Sequence, residues 1–363
     1  MAARSTPGSA RWVASPSTST TSSGCGRASP RPSGPKSWGD GRSALKRGFA
    51  QRIRSLRRLA RGRSRPRKSL AELSAEKSRI EEAFGPWTAH NCQLAPGLWT
   101  IRPESVNFDE KVRRCLRIAN DFFGSDLSGL RVLDLGAGEG GLSLEFAAQG
   151  ARVVCVDGRR MNIAKAEFAA SALGLDIEFR CQDVRALSPH ERYDLVLCFG
   201  LLYHLDAASA VRLVEAIGAV TQRLLILDTH FSPAPNETVD VDGRPYRGHL
   251  VPEHSPETTA EQKATLAWAS LDNNSSFWLS KPSLLNLMGR AGFNTVYEVS
   301  YPLVFDYWNR QTEARYKYRD RLTLVGARSV ESPILTAAAV NALAVREVPE
   351  DLEDRLVDWP PPG

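Results

Sequence analysis

Residues 132–141 read Val-Leu-Asp-Leu-Gly-Ala-Gly-Glu-Gly-Gly, an apolar run that ends in a glycine-rich turn. Without a Cβ in the way, the backbone of such a turn can approach a nucleotide-like ligand closely. Asp134 stands two residues before Gly136, and Asp157 closes the next apolar run, residues 151–156. An acid about 20 positions beyond the glycines, at a strand tip, is placed to accept ribose hydroxyls. A second group of chemically able residues follows a later apolar run, in Phe199-Gly200-Leu201-Leu202-Tyr203-His204-Leu205. The near-neutral imidazole of His204 suits proton removal from an acceptor hydroxyl; the alternative is a histidine that hydrogen-bonds backbone and holds the loop. Asp228-Thr229-His230 leaves the following run. With His249 or His254 it could be a metal set, but four scattered residues make a poor ligand pattern and no metal is expected.

These residues need elements that bring them to one edge. Apolar runs predict strands at 131–135, 152–156, 176–180, 193–198 and 223–228, separated by helices near 140–149, 161–173 and 207–219. Strand alternating with helix implies a parallel sheet covered on both faces. Upstream, Val112, Cys115, Leu116, Ala119, Phe122 and Phe123 recur at helical spacing, so 108–123 is expected as an amphipathic helix. Ser69 is an expected N-cap for a helix over 70–84, with Leu70, Leu73, Ile80 and Phe84 on one face and Gly85-Pro86 ending it. The polar stretch 231–277 breaks the alternation and is too long for an ordinary connection. It is either a substrate-covering insertion or a loose surface excursion. A helix near 282–291 and strand-like runs at 294–300 and 321–327 follow.

Charge divides the chain. Residues 1–70 hold 17 Lys/Arg and one acid, Asp40, whereas the remainder has 30 Lys/Arg and 40 Asp/Glu. An acidic body is no general phosphate-binding surface. Residues 1–43, rich in Ser, Pro, Gly and Arg, lack the apolar content to offset ordering entropy and are expected to be disordered. They also resemble an organelle transit peptide; the plainer reading is a dispensable extension. Over 44–61, Leu45, Phe49, Ile53, Leu56 and Ala60 form a thin apolar stripe among Lys and Arg. This predicts a basic helix that either contacts RNA or an anionic membrane through residues 44–68, or docks as a solvated helix. The expected organisation is therefore an extension (1–43), a helical lead (44–107), an α/β domain (108–328) with its insertion, and an acidic tail (329–363). The six cysteines include no Cys-x-x-Cys pair, so a reducing, cytoplasmic setting is expected.

Gly136, Gly138 and Gly141 satisfy the dinucleotide fingerprint, while Gly136, Gly138 and Gly140, preceded by Asp134, satisfy the form used by class I S-adenosylmethionine (SAM) dependent methyltransferases. Residues 108–328 resemble that superfamily. The resemblance implies a Rossmann-like, mostly parallel seven-stranded sheet with helices on both faces and an antiparallel C-terminal strand. It further implies SAM as cofactor, with Gly136 and Gly138 beneath its methionine and ribose portions. Asp134 would hold the loop or meet the ammonium, Asp157 the ribose, Met161 an adenine face and Asp183 the adenine amino group. Tyr203 and His204 would border the transferred methyl group. An NAD-dependent oxidoreductase is the alternative that the Cys155-Val156-Asp157 strand end leaves open.

A more distant resemblance rests on Gly200-Leu201-Leu202-Tyr203-His204, Ser276-Phe277-Trp278-Leu279-Ser280-Lys281-Pro282-Ser283, Pro86-Trp87 and Arg321. These are similar to the tRNA wobble-uridine carboxymethyltransferase family. That likeness implies a carboxylate of carboxy-SAM held by a tyrosine, an arginine and a lysine, of which Tyr203 and Arg321 match two. The lysine expected soon after Pro-Trp is replaced by Thr88-Ala89-His90-Asn91. The favoured expectation is thus methyl transfer from SAM to a small-molecule or glycan-like acceptor, with His230 and Arg321 as candidate substrate contacts. The alternatives are a tRNA-modifying enzyme and a non-catalytic adaptor; the intact acids at 134, 157 and 183 speak against the adaptor.

Overall fold

The computed structural model describes residues 68–102, 107–299 and 320–328. The expected extension over 1–43, the basic helix over 44–61 and the tail over 329–363 lie outside the described residues. Helix α1 (Leu70–Phe84) starts at Ser69, whose hydroxyl and backbone form a reciprocal capping box with Glu72. A short hairpin follows that the sequence reading did not foresee, β1 (Gln93–Ala95) and β2 (Leu98–Trp99), turning at Gly97 with φ of 81°. Helix α2 (Asn107–Phe123) then buries Val112, Cys115 and Ala119, three residues of the stripe expected there.

The sheet contains β3 (Arg131–Leu135), β4 (Arg152–Asp157), β5 (Ile177–Cys181), β6 (Tyr193–Phe199), β7 (Thr221–His230), β11 (Thr295–Glu298) and β12 (Arg321–Ala327). Its strand order is β11-β12-β7-β6-β3-β4-β5, parallel except for β12, which runs antiparallel to both neighbours. Side chains alternate across the pleat. Leu133, Val154, Val196 and Leu225 pack on one face with α5 (Ala207–Val220) and α7 (Lys281–Arg290). Val132, Val153, Leu195 and Leu224 pack on the other with α2 and α3 (Gly141–Ala148). Helix α4 (Arg160–Leu173) carries Phe168 and Ala169 against Trp87 and Leu94 of the lead. Burial on both faces explains why the strands read as continuous apolar runs rather than alternating ones.

The stretch 231–277 is no loose excursion. It holds β8 (Glu237–Val241), β9 (Arg244–Pro252), the short helix α6 (Ala260–Thr265) and the start of β10 (Ser275–Leu279). The three strands form an antiparallel sheet in the order β10-β9-β8. Asp242 and Gly243 join β8 to β9 with φ of 54° and 79°, a two-residue turn of the type Asp-Gly favours in hairpins. Val241, Tyr246, Phe277 and Leu279 enter the same core as α5 and α7. Among the described residues no helix is long and apolar enough to cross a membrane.

Candidate functional site

Because β3, β4, β5, β6 and β7 are parallel, their carboxyl ends lie along one edge. The chain runs outward from β3 through β4 to β5, then returns to the other side with β6 and β7, so the strand order reverses between the ends of β3 and β6, the place where sheets of this kind form their ligand crevice. Gly136, with φ of 65°, turns the chain at that crevice, and a Cβ there would stand 2.9 Å from the Cβ of Leu201. The approach of the two strand ends thus requires glycine.

Asp157, at the tip of β4, is buried. Its Oδ2 accepts from the Gly138 N–H at 2.8 Å, and its Oδ1 from the Arg159 N–H at 2.8 Å and from Asn162 Nδ2 at 3.1 Å. Burial raises its carboxyl above the ordinary range, and the Arg159 and Gly138 N–H bonds only partly offset this. Asp134 accepts from the backbone N–H of Ser143 at 3.1 Å and from its hydroxyl at 2.7 Å, which ties β3 to the first turn of α3. Burial pushes its carboxyl up to about 6. Met161 lies half-buried in the first turn of α4. Asp183 follows β5 but caps the turn Val184–Ala186 and pairs with Arg185, whose hydrogen bonds hold it below the usual carboxylate range. Its carboxylate is engaged locally, as a loop cap would be.

Sequence reasoning missed a clip on this side. Glu139, an unspecified position of the glycine motif, is only 3 % exposed. Its carboxylate accepts from the backbone N–H groups of Thr88, Ala89 and His90 at 2.9, 3.0 and 3.0 Å, and from Lys165 Nζ at 3.2 Å. Burial alone would raise the Glu139 carboxyl, yet the three N–H bonds and His90 hold it below its usual value. His90 answers by accepting the Gly141 N–H at its Nδ1, at 2.9 Å. Burial lowers the His90 imidazole to about 4, which keeps that nitrogen free to accept. The signal was the segment after Pro86-Trp87, read above only as a departure from a family pattern.

The other side of the crevice centres on Asp228, which is fully buried. Arg321 donates to it from Nε at 2.8 Å and also from Nη2, Thr323 Oγ1 at 2.7 Å, and Arg114 Nη2 at 3.3 Å. Burial would raise the Asp228 carboxyl, but Arg321 and Lys111 outweigh it. Arg321 arrives here because β12 pairs with β7 in the register Arg321 opposite His230. The Tyr203 hydroxyl and the Arg321 guanidinium both face Gly200, and the guanidinium sits 5.6 Å from the centre of the Tyr203 ring. His230 meets Asp320 through Nδ1 at 3.1 Å and stacks on Trp278 with centroids 4.6 Å apart. Tyr203 meets His230 edge-on at 4.6 Å. His204 Nδ1 lies 2.8 Å from Glu253 Oε1. The structure therefore brings Tyr203, His230 and Arg321 together with His204 alongside. Lys111, Arg114, Glu253 and Trp278 complete the surroundings, and only Trp278 carried a prior signal. His254 donates from Nε2 to Ser270 O at 2.7 Å and His249 packs on Trp278, so neither joins His230; among the described residues no group of three or more His, Cys, Asp or Glu could hold a metal.

Residues 132–223 match a family model described as a methyltransferase domain. Over these residues the chain carries a methyltransferase domain. A ubiquinone biosynthesis O-methyltransferase of Rhodopseudomonas palustris (strain HaA2) is 35 % identical over 138 residues, which cover 38 % of this chain and 53 % of the relative. One from Bradyrhizobium sp. (strain ORS 278) is 33 % identical over 138 residues, with the same shares of 38 % and 53 %. The chain spans about half the length of the curated relatives it matches. Among solved structures, the N-terminal domain of EvdMO1 in the presence of S-adenosylhomocysteine (SAH) and D-fucose superposes with a TM-score of 0.53 at 24 % identity, covering 70 % of this chain and 97 % of that one. It shares the fold. The matched methyltransferase domain includes the glycine turn, Asp157, Asp183, Tyr203 and His204, but stops before Asp228, Glu253, Trp278 and Arg321.

Proposed function

We propose that this chain binds SAM at the carboxyl ends of β3 and β4 and transfers its methyl group to a hydroxyl oxygen of a small-molecule or glycan-like acceptor. The observation that carries the reading is the crevice at the reversal of strand order, with Gly136 and Asp157 on one side and Tyr203 and His204 on the other. The residues fit such a ligand. A turn of left-handed glycines lies under the crevice, and a carboxylate stands at the tip of β4 where a ribose would lie. When bound, the sulfonium supplies a methyl group activated for in-line displacement. The chain's part is to align the acceptor and exclude water, through the half-buried wall of Tyr203, His230 and Trp278. The O-methyltransferase names of the curated relatives support oxygen as the accepting atom. Asp157→Ala tests the reading. Charge-assisted hydrogen bonds of about 1.5–3 kcal/mol each predict a loss of SAM affinity on the order of 100-fold by calorimetry. Unchanged affinity in a folded variant would overturn it.

A second reading has its own observation. The Arg321 guanidinium lies over the Tyr203 ring, 5.6 Å from its centre, and the Lys111 amine lies within electrostatic reach of Arg321 and Asp228, its pKa lowered by burial and by that guanidinium. Three such groups could hold the carboxylate of carboxy-SAM, which would favour a tRNA substrate. A competition titration separates the two, since a clear preference for carboxy-SAM would replace the first reading by the second. Two further points are proposed on composition alone. Residues 44–68, dense in Lys and Arg, are proposed to contact RNA or anionic lipid, which salt-sensitive binding lost on their deletion would support. The cysteine pattern supports a cytoplasmic location.

A further inference from the structure

We infer that Glu253, delivered by the insertion, positions His204 as the base that removes the proton from an acceptor hydroxyl, so that this site serves alcohols or phenols. The inference rests on the methyl-transfer reading above and adds to it the residue that would prepare His204 for a hydroxyl acceptor. Glu253 follows β9 directly, and its side chain is 7 % exposed. Its two oxygens have separate tasks: Oε1 meets His204 Nδ1 at 2.8 Å, and Oε2 accepts the Ser270 N–H at 2.9 Å. The carboxylate is thereby held in one rotation. Burial alone would raise the Glu253 carboxyl, but the bond and charge of His204 together with the Ser270 N–H keep the group below the ordinary glutamate value. An ionised carboxylate only accepts, so Nδ1 of His204 must carry the hydrogen. The lone pair of the neutral ring then lies on Nε2.

That nitrogen is left available. Among the described residues Nε2 of His204 has no protein partner, and the side chain keeps 17 % exposure beside Tyr203, whose ring centre is 4.2 Å away. The turn that carries both residues, Leu202–His204, is fixed from the insertion as well. Trp278 Nε1 donates to Tyr203 O at 3.0 Å, and Asn273 Nδ2 to His204 O at 3.2 Å. The insertion has other anchors, including the Phe277 N–H on Leu205 O at 2.9 Å and Arg159 on Ala269 O at 2.8 Å. A buried carboxylate is a costly way to add one more latch, whereas it suits a ring that becomes charged during turnover.

The proposed step balances. The acceptor oxygen bonds to the methyl carbon as the carbon–sulfur bond breaks with its electron pair on sulfur, and the hydroxyl proton passes to Nε2. The imidazolium formed is stabilised by Glu253 and returns its proton to water. An acceptor that is already an anion or a free amine would not need this base.

The test uses the full chain labelled with 15N-histidine, in the presence of SAH. The neutral His204 ring should show the Nδ1–H tautomer, and Glu253→Ala should shift it to Nε2–H. Diethylpyrocarbonate, which acylates an unprotonated and accessible imidazole nitrogen, should modify His204 in the parent chain, with a several-fold slower rate in Glu253→Ala by peptide mapping. Should Glu253→Ala fail to fold, Glu253→Gln keeps the volume and should lose the strict Nδ1–H preference. An Nε2–H tautomer in the parent chain, or a His204 that resists diethylpyrocarbonate there, would overturn the inference and leave a structural latch. None of these measurements needs turnover. Failure of the SAM reading, seen in Asp157→Ala calorimetry, is therefore distinguishable from failure of the dyad.

Discussion

On the β3–β4 side of the crevice, the working residues fall between Asp134 and Lys165, joined by a clip at residues 88–90. On the β6–β7 side, the cluster around Asp228 gathers Arg114, Tyr203, His230, Trp278 and Arg321 from five separate elements. The first side is stiff because its carboxylates meet backbone N–H groups close in sequence or in one short segment. The second is held by guanidinium groups that arrive through sheet register and helix packing. The family model covers the strands of the first side and the turn with Tyr203 and His204, but reaches neither the 88–90 clip nor Asp228 and the elements beyond it. A nucleotide-binding side can be built on a local motif, whereas an acceptor side varies with the elements added around it.

If the two sides are independent, the largest effect comes from removing the hub of the second. Asp228→Ala leaves the buried guanidinium groups of Arg321 and Arg114 without their shared carboxylate. Breaking a buried pair costs about 3–5 kcal/mol, and the upper end is expected by denaturant titration. SAM affinity should stay within about threefold, a shift under 1 kcal/mol. A matching loss of SAM affinity would show that the two sides act as one. Glu139→Gln probes the first side: Gln retains an acceptor for the 88–90 N–H groups, but Lys165, 1 % exposed, loses its charge partner. About 3 kcal/mol of destabilisation is expected. A change below about 0.5 kcal/mol would mean that the clip is dispensable.

A third prediction concerns pH. The Asp134 carboxyl, raised to about 6 by burial, keeps its proton in the folded chain at pH values where an unfolded aspartate near 3.9 has released it. The folded state therefore binds more protons between about pH 4 and 6, and this contribution to stability is lost as pH rises through that window. About two pKa units at 1.36 kcal/mol each give up to about 3 kcal/mol. Measured as the difference between the parent chain and Asp134→Asn, the loss should appear from about pH 4 to 6 and level off above it; a flat difference would refute it. The smallest effect lies outside the crevice. Ser69→Ala removes the capping box of α1 and should cost about 1 kcal/mol without altering SAM affinity.

Much of the frame was legible because its signals are local. The strands from β3 to β7, the helices between them and the Ser69 cap were expected within a few residues of where they lie, since each is written in a short apolar run or a capping pattern. The β8–β9 hairpin was legible too, in Val241-Asp242-Gly243-Arg244, but the polar composition around it led to a looser description. The lead hairpin at 93–99 carried only the Pro96-Gly97 turn pair, between strands too short to show a pattern: they are three and two residues long.

What the sequence by itself determined was the glycine turn after β3 and the acids at 134 and 157, because each depends on residue type at a fixed distance along one strand–turn–helix unit. Only the tertiary structure decided which polar groups remain available. Asp183 stands at the expected strand end, yet the neighbouring Arg185 engages its carboxylate. Glu139 looks like a filler between glycines, yet it receives three N–H groups from a segment about 50 residues earlier. Glu253 reaches His204 only because β9 and β10 pair and β10 docks beside Leu205. Arg321 reaches Asp228 only through the antiparallel register of β12 on β7. A side chain's type sets what it can bond, but its partner in a buried site is set by packing between segments that no local pattern connects.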